Sequence, residues 1–408
     1  MDMTILIGYL FFYFSLYMSI VWILTFLSRK NEFFKKPGKN LKQSISTIIP
    51  VYNEEDTIGI TIESLLKLNY PKPIDIVVVN DGSTDRTIDV LDKFEKEKKI
   101  RVITNKVNMG KGYSLNKALA TINNDLFACV DADSIIDPDC LIRMVGFFKD
   151  NKVGSVTTGL KVARKKSILE RVQYVEYLLN LFWRKIMAFL DTLPVVPGVF
   201  SVYKTSLIKK LGGFDEKNLA EDMEIALRLH TKGYKIENCP DAYAETFCPD
   251  TFTGLYKQRV RWYRGVIRNF IKYKKLFFNP KFGNLGLFFM PVNLIVIIFA
   301  ISFFLYFTVD GAYKLIKFIL DIFLINFDIS TLFKFEVNLF SLNSNYLLLL
   351  LFLPFGIYTL KLSFYYSREN IKNEILSSIF FLFIFPYCSL FFWTASLFYE
   401  IFGVEKEW

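Results

Sequence analysis

Apolar positions crowd the two ends of this 408-residue chain and alternate with polar ones in its middle. Residues 3–27 carry no charged side chain. At about 1.5 Å per helical residue, that run reaches across a ~30 Å hydrocarbon core. It is too long for a signal peptide and has neither a basic flank before it nor a small-residue cleavage site, which predicts a membrane helix over 1–28. Arg29, Lys30, Lys35, Lys36, Lys39 and Lys42 follow, placing this end in the cytoplasm and the N-terminus outside. Residues 282–408 repeat the apolar pattern, with spans predicted near 284–308, 343–364 and 375–399. Between the first two, 315–335 contains Asp321 and Asp328. Carboxylates are expensive in lipid, so this stretch reads as an external amphipathic segment. The basic loop 361–374 fits the cytoplasm and the acidic tail 400–408 the outside. Four spans with the middle inside are the expectation, and a fifth span at 315–335, the alternative, would invert everything after it.

From 40 to 250 the period changes. Short β-branched runs at 45–51, 74–80, 100–104 and 126–130 alternate with helical stretches near 56–68, 85–97 and 113–121. That alternation predicts an α/β domain with a mostly parallel sheet covered on both faces. Ligands of such sheets sit at the carboxyl ends of strands. Polar clusters fall there: Tyr52-Asn53-Glu54-Glu55, Asp81-Gly82-Ser83-Thr84-Asp85 and Asp131-Ala132-Asp133. One such cluster is an ordinary turn, in which Ser83 or Thr84 caps the next helix. Three in register make a candidate site. Asp131 and Asp133 repel each other unless a divalent cation or a proton sits between them. Mg²⁺ or Mn²⁺ held this way takes further ligands from substrate phosphates, which points to a nucleoside diphosphate. Lys111, in the loop 108–112, offers another positive contact.

Composition sharpens this picture. Hydrophobic residues make up 52% and aromatics 17%, which excludes a disordered chain. The net charge of +10 is local: it flanks the first apolar run and fills 251–281, which holds nine Lys and Arg and no acid. The pattern predicts a basic helix lying on anionic headgroups, and not a nucleic-acid surface, because the charge gathers at membrane-proximal positions. Gln258, Arg261 and Trp262 stand i, i+3 and i+4 on it and share one face. A second amphipathic stretch, 168–190, with Tyr174, Leu178, Trp183 and Met187, is expected to pack beside it. Glu221-Asp222 opens a helical run, where carboxylates are favoured. Five cysteines without a CxxC pair read as reduced structural thiols. The single histidine, His230, excludes a His-based zinc site and a Ser-His-Asp triad.

The motifs join into one series: PVYNEED (50–56), VVVNDGSTDRT (77–87), NMGKGYSLNKAL (108–119), DAD (131–133), GGFD (212–215), ED (221–222) and QRVRW (258–262). Over about 45–275 the chain resembles the family-2 inverting glycosyltransferases. More narrowly it is similar to the membrane-embedded processive synthases of cellulose, chitin, hyaluronan and poly-N-acetylglucosamine. The resemblance implies a GT-A (Rossmann-like) nucleotide-sugar domain at 40–250, an interfacial helix with the QxxRW motif at 251–281, and an α-helical transmembrane region. It implies a multi-pass protein of the plasma membrane with its catalytic domain in the cytoplasm. By the same resemblance, Tyr52, Glu54 and Asp81 contact the uracil and ribose, and Lys111 approaches the diphosphate or donor sugar. Asp131 and Asp133 bind nucleotide and metal, Asp133 directly. Glu221 joins the donor-binding set, Asp222 is the general base, and Gln258, Arg261 and Trp262 close the diphosphate and acceptor site. The implied partners are a UDP-sugar (N-acetylglucosamine before glucose), Mg²⁺ or Mn²⁺, a polysaccharide or lipid-linked acceptor, the bilayer, and accessory export subunits.

Three departures stand out. Ala220 occupies the place of the usual threonine before Glu-Asp. The loop Pro197-Gly198-Val199-Phe200 is not the Phe-Cys-Gly-Ser type of cellulose synthases, which weakens a glucose polymer. No C-terminal domain of the kind that binds a cyclic dinucleotide is expected. Two other readings stand beside the synthase: transfer of a single sugar to a carrier such as a polyprenyl phosphate, and an export scaffold with an inactive nucleotide domain.

Overall fold

The computed structural model describes residues 3–35, 37–38, 41–324 and 344–404. Helix α1 (Met3–Arg29) leads into the α/β domain. There follow β1 (Ile45–Val51), α2 (Ile58–Leu66), β2 (Ile74–Asn80), α3 (Thr87–Lys96), β3 (Arg101–Thr104), α4 (Lys111–Thr121), β4 (Leu126–Val130), β5 (Ser134–Ile136) and α5 (Cys140–Met144). The second half of the domain runs β6 (Val153–Val162), α6 (Ile168–Phe189), β7 (Phe200–Lys204), α7 (Thr205–Lys210), α8 (Glu221–Thr231) and β8 (Lys235–Thr246). Then come α9 (Phe252–Lys272), α10 (Met290–Leu324), α11 (Ser344–Tyr366), α12 (Ile375–Phe383) and α13 (Phe385–Ile401).

One eight-stranded sheet, in the order β3-β2-β1-β4-β7-β6-β8-β5, forms the middle layer. Strands alternate their side chains between its faces. Ile45, Ile49 and Val51 of β1 pack with Ile58, Ile62 and Leu65 of α2, whereas Ile48 joins Leu115 and Leu119 of α4 and Ile225 of α8 on the other face. The sheet is mostly parallel, as expected, with two reversed strands that make it mixed: β7 runs antiparallel to both β4 and β6, and β5 antiparallel to β8. After α6 the chain re-enters the sheet from the carboxyl end of β4, with Phe200 opposite Val130. That direction of entry sets the 196–199 loop against Asp131. Pairing of Ser134 with Thr246 likewise brings the end of β8 to Asp133.

The C-terminal helices differ from the expected spans in three ways. First, α10 does not stop at 308. Its 35 residues, or about 52 Å of helix, run on through Asp310, Lys314, Lys317 and Asp321, and Lys314 pairs with Asp310 at 2.7 Å one turn away. The rest of 315–335, with Asp328, lies outside the described residues. Second, 375–399 is not one straight helix. It breaks at Ile384 and bends by 44°, with Pro386, which lacks an N–H, in the first turn of α13. Third, the end of α13 is not set apart from the domain: the Glu400 carboxylate accepts from Arg264 Nε at 2.5 Å and from Arg268 Nε at 2.8 Å, and Val404 O accepts from Arg264. The start of the same helix pair is held by Arg171 of α6 on Glu374, 3.2 Å. Among the described residues, two helices are long and apolar enough to cross a membrane, Tyr9–Glu32 and Leu285–Phe323, or three if the bent pair is one span.

Candidate active site

The expected headgroup helix, α9, turns part of its charge onto the protein. Of its six cations, Arg259 pairs with Glu176 of α6 at 2.7 Å, Arg264 and Arg268 with Glu400, and Lys272 with Asp215 and Glu224 at 2.7 Å. Arg259 and Arg264 have side chains only 3% exposed. Four of the nine basic residues of 251–281 are therefore tied into an internal clamp. Burying these acids beside the cations is what makes the pairing necessary: burial alone pushes the Glu176 carboxyl up, and the Arg259 guanidinium opposes it. Lys257 and Arg261 are the cations of α9 that form no ion pair among the described residues, and both are exposed.

The clamp ends on the helix that opens with Glu221-Asp222. Asn269 of α9 donates to Ala220 O, 3.3 Å, and exchanges hydrogen bonds with Asn218. A Cβ at Gly265 would lie 2.5 Å from Ala220 Cβ, so helix and loop meet there at backbone distance. Arg261 and Trp262 stand one turn earlier on α9, beside this contact. The Trp262 ring has the Arg259 guanidinium 4.3 Å above it, and Gln258 keeps a buried Oε1 without a partner.

At the strand ends, Lys111 is the centre of the charges. Its Nζ lies 2.7 Å from Asp131 Oδ1 and 3.1 Å from Glu221 Oε1. Burial works against its charge, but Asp131 and Glu221, with Asp222 beyond, outweigh it and hold the ammonium well above the usual lysine range. The 196–199 loop seals this group: any Cβ at Gly198 would collide with Lys111 Nζ and lie 2.5 Å from Asp131 Oδ1. Asp222 opens α8, and Val196 N donates to its carbonyl at 3.2 Å. Burial, then the charge of Glu221, push the Asp222 carboxyl up to about 6. That leaves it mostly ionised at neutral pH yet basic enough to accept a proton.

Asp133 sits deeper. Its Oδ2 accepts from Thr246 Oγ1 at 3.2 Å. Burial, then the charges of Asp131 and Glu54, push its carboxyl up to about 7. Among the described residues no three His, Cys, Asp or Glu side chains are arranged to enclose a metal by themselves. The carboxylate oxygens of Asp133 and Asp131 are nevertheless hard donors that fit a divalent cation taking its remaining ligands from a diphosphate. Asp131, expected to share the metal, has one oxygen occupied by Lys111, so Asp133 is the better placed of the two.

The expected base and ribose contacts divide. Tyr52 is 43% exposed. Glu54 accepts from Thr57 Oγ1 at 2.6 Å, and burial raises its carboxyl. Asp81 is buried, and its carboxylate accepts from Asn105 Nδ2 (2.7 Å), Met109 N (3.0 Å) and Gly110 N (2.8 Å). Its task in the fold is to hold the loop that carries Lys111. Gly82, at φ 74°, allows the approach, since a Cβ there would be 2.7 Å from Val107 C. Ser83 and Thr84 do not cap α3. Ser83 Oγ accepts from Asn53 N and Thr84 N donates to Asn53 Oδ1, lacing the first two strand ends together, while Asp85 Oδ1 accepts from Thr87 N. The lone His230 donates through Nε2 to Leu193 O at 2.8 Å, a structural role.

The sequence matches the family described as Glycosyl transferase family 2 over residues 46–212. The poly-β-1,6-N-acetyl-D-glucosamine synthase of Staphylococcus epidermidis is 33% identical over 287 residues, covering 66% of this chain and 69% of that protein. The chain belongs to glycosyl transferase family 2. It is a glycosyltransferase of the polysaccharide-synthase type. The corresponding synthase of Staphylococcus aureus strain MSSA476 is 33% identical over 283 residues, covering 66% of this chain and 68% of that protein. The fold is also that of a mannosyltransferase from Pyrobaculum calidifontis solved with GDP-mannose and Mn²⁺, with a TM-score of 0.54 at 20% identity over 90% of this chain and 96% of that one.

Sequence reasoning missed several residues of this family-2 site. Gly198 and Gly265 matter through close approach, Thr246 through its bond to Asp133, and Glu176 and Arg259 through a pair 83 residues apart. The glycines gave no local signal. Arg259, inside the QRVRW motif, was visible as a charge but not as a buried one.

Proposed function

We propose that this enzyme builds a β-linked polymer of N-acetylglucosamine from UDP-N-acetylglucosamine, adding sugars repeatedly and passing the chain through its own helices. The clamp of α9 onto the Ala220–Asp222 segment carries this reading, since it joins the QxxRW motif to the base. The likeness to the staphylococcal synthases supports the donor. In this reading the α/β domain lies on the cytoplasmic face of the plasma membrane.

Inverting transfer is a single displacement. Asp222 takes the proton of the acceptor hydroxyl while its oxygen bonds to the anomeric carbon, and the bond from that carbon to the diphosphate breaks with the electron pair on the phosphate oxygen. Lys111 and Arg261 offer charge-assisted donors to the departing diphosphate. Asp133, with Asp131 beside it, would hold Mg²⁺ or Mn²⁺, which supplies charge neutralisation to the phosphate oxygens when bound. Trp262, braced by Arg259, presents an apolar face to a sugar ring. Purified protein with a panel of UDP-sugars and Mn²⁺ tests the proposal through UDP release and product sizing. A ladder or long polymer with UDP-N-acetylglucosamine is expected. A single sugar on a lipid would replace it with the carrier reading, and equal product from Asp222→Asn would favour the scaffold.

A further inference from the structure

Helix α6 carries charged residues that nearly all have a partner in the protein. Arg171 holds Glu374, Glu176 holds Arg259, and Lys185 Nζ donates to Asn238 O at 2.9 Å. Arg184 has none. Its guanidinium makes no hydrogen bond or ion pair with any described residue, and Nη1 is buried away from solvent. Arg184 is partly exposed, and a buried donor left without a partner is costly, so Nη1 beside open N–H groups calls for a ligand. Met187, one turn after Arg184, packs against the cluster of Ala220, Met223 and Leu227 that flanks the base Asp222. Burial pushes the Arg184 guanidinium down to about 10, and the charge that first opposes this is Asp222, followed by Tyr177. Tyr177, two turns before Arg184 on the same helix face, is itself within electrostatic reach of Asp133. The face of α6 that presents Tyr177 and Arg184 therefore borders the reaction centre.

We infer that Arg184 is an acceptor-binding residue: its free N–H donors receive oxygen atoms of the terminal sugar of the acceptor, a hydroxyl or an acetamido carbonyl, and so present the attacking hydroxyl to Asp222. The side of the site decides between ligands. The donor diphosphate already has Lys111 and Arg261, whereas the base must meet the acceptor, and Arg184 lies with the base. A guanidinium suits this use because its planar set of donors can hold two oxygens at once. The inference rests on the glycosyltransferase reading above.

The test separates acceptor from donor. Full-length wild type, Arg184→Met and Arg184→Lys are purified in detergent, with melting curves to show that each is folded. UDP affinity is measured by titration. Affinity for a β-linked N-acetylglucosamine trisaccharide is measured by titration with UDP present, and its KM by UDP release from UDP-N-acetylglucosamine. Arg184→Met is expected to weaken trisaccharide binding and raise its KM by about 10- to 100-fold, the factor for losing a charge-assisted hydrogen bond, with UDP affinity within about twofold. Arg184→Lys should recover part of the loss. Unchanged trisaccharide affinity, or an equal loss of UDP affinity, would overturn the assignment. Binding is read without turnover. A wild type that binds the trisaccharide through Arg184 yet turns over no UDP-sugar would therefore fail the function and keep the acceptor site.

Discussion

The approach of α9 to Ala220 can be broken with one methyl group. In Gly265→Ala the new Cβ would begin 2.5 Å from Ala220 Cβ and 3.3 Å from Ala220 N. Carbon atoms in contact settle at about 3.5–4.0 Å, so helix and loop must part by roughly 1 Å. Overpacking of this kind costs about 1–3 kcal/mol. Alanine returns up to ~1 kcal/mol of helix propensity, leaving a net loss of about 0–2 kcal/mol and a melting temperature at most ~8 °C lower. Activity should suffer more than stability, because Asp222 lies two residues beyond Ala220. A displacement of about 1 Å at a reacting group is enough for a ~10²-fold loss of kcat. UDP release in detergent, alongside a melting curve, separates the two effects. The second change, Ala220→Gly, removes the opposing methyl and should restore most of the activity to the double variant. A Gly265→Ala enzyme within twofold of wild type, melting at the wild-type temperature, would show that α9 does not position the base.

Three further outcomes follow from the same geometry. Asp222 must be ionised to act, and burial raises its carboxyl to about 6; kcat/KM should therefore climb as pH rises through about 6 and level off above it, and Asp222→Asn should lose about 10²–10⁴-fold while still binding UDP. Arg259→Met alone strands Glu176 as a buried charge and should destabilise by about 3–5 kcal/mol, whereas the pair Arg259→Met with Glu176→Met should melt closer to wild type; equal losses in the two would argue that the carboxylate is solvated. In spheroplasts, with Cys388→Ser as background, Val404→Cys should react with a membrane-impermeant maleimide from the same side as Arg86→Cys on the α/β domain, and labelling from opposite sides would refute the attachment of the tail through Arg264.

Local signals carried the first half of the domain and little of the second. Strands 45–51, 74–80 and 126–130 are near-continuous apolar runs bounded by polar turns, and the structure has them at those bounds. The last strand, Lys235–Thr246, reads KIENCPDAYAET and looks like a loop; only its pairing with β6 and β5 makes it a strand. The carboxylates of the site were legible because several strand ends repeat them. Their partners were not. Arg264 resembles a headgroup ligand until Glu400, 136 residues later, is packed against it. Sequence shows which charges exist, and tertiary packing decides which of them are left over to meet a substrate.

The thiols turn this packing into a tool. Cys129, Cys140, Cys239 and Cys248 are unpaired and buried, and burial holds each thiol above its usual range, which keeps it in the unreactive protonated form. Cys388 alone of the five is partly open to solvent, and it lies on α13, five residues before Trp393, whose ring stacks on Tyr263 of α9 at 4.1 Å. A fluorophore added to the unaltered protein would thus gather at one position, beside the seam between the last helix and the helix bearing QRVRW. The native chain is in effect pre-tagged for watching that seam, sugar by sugar, as a product is made.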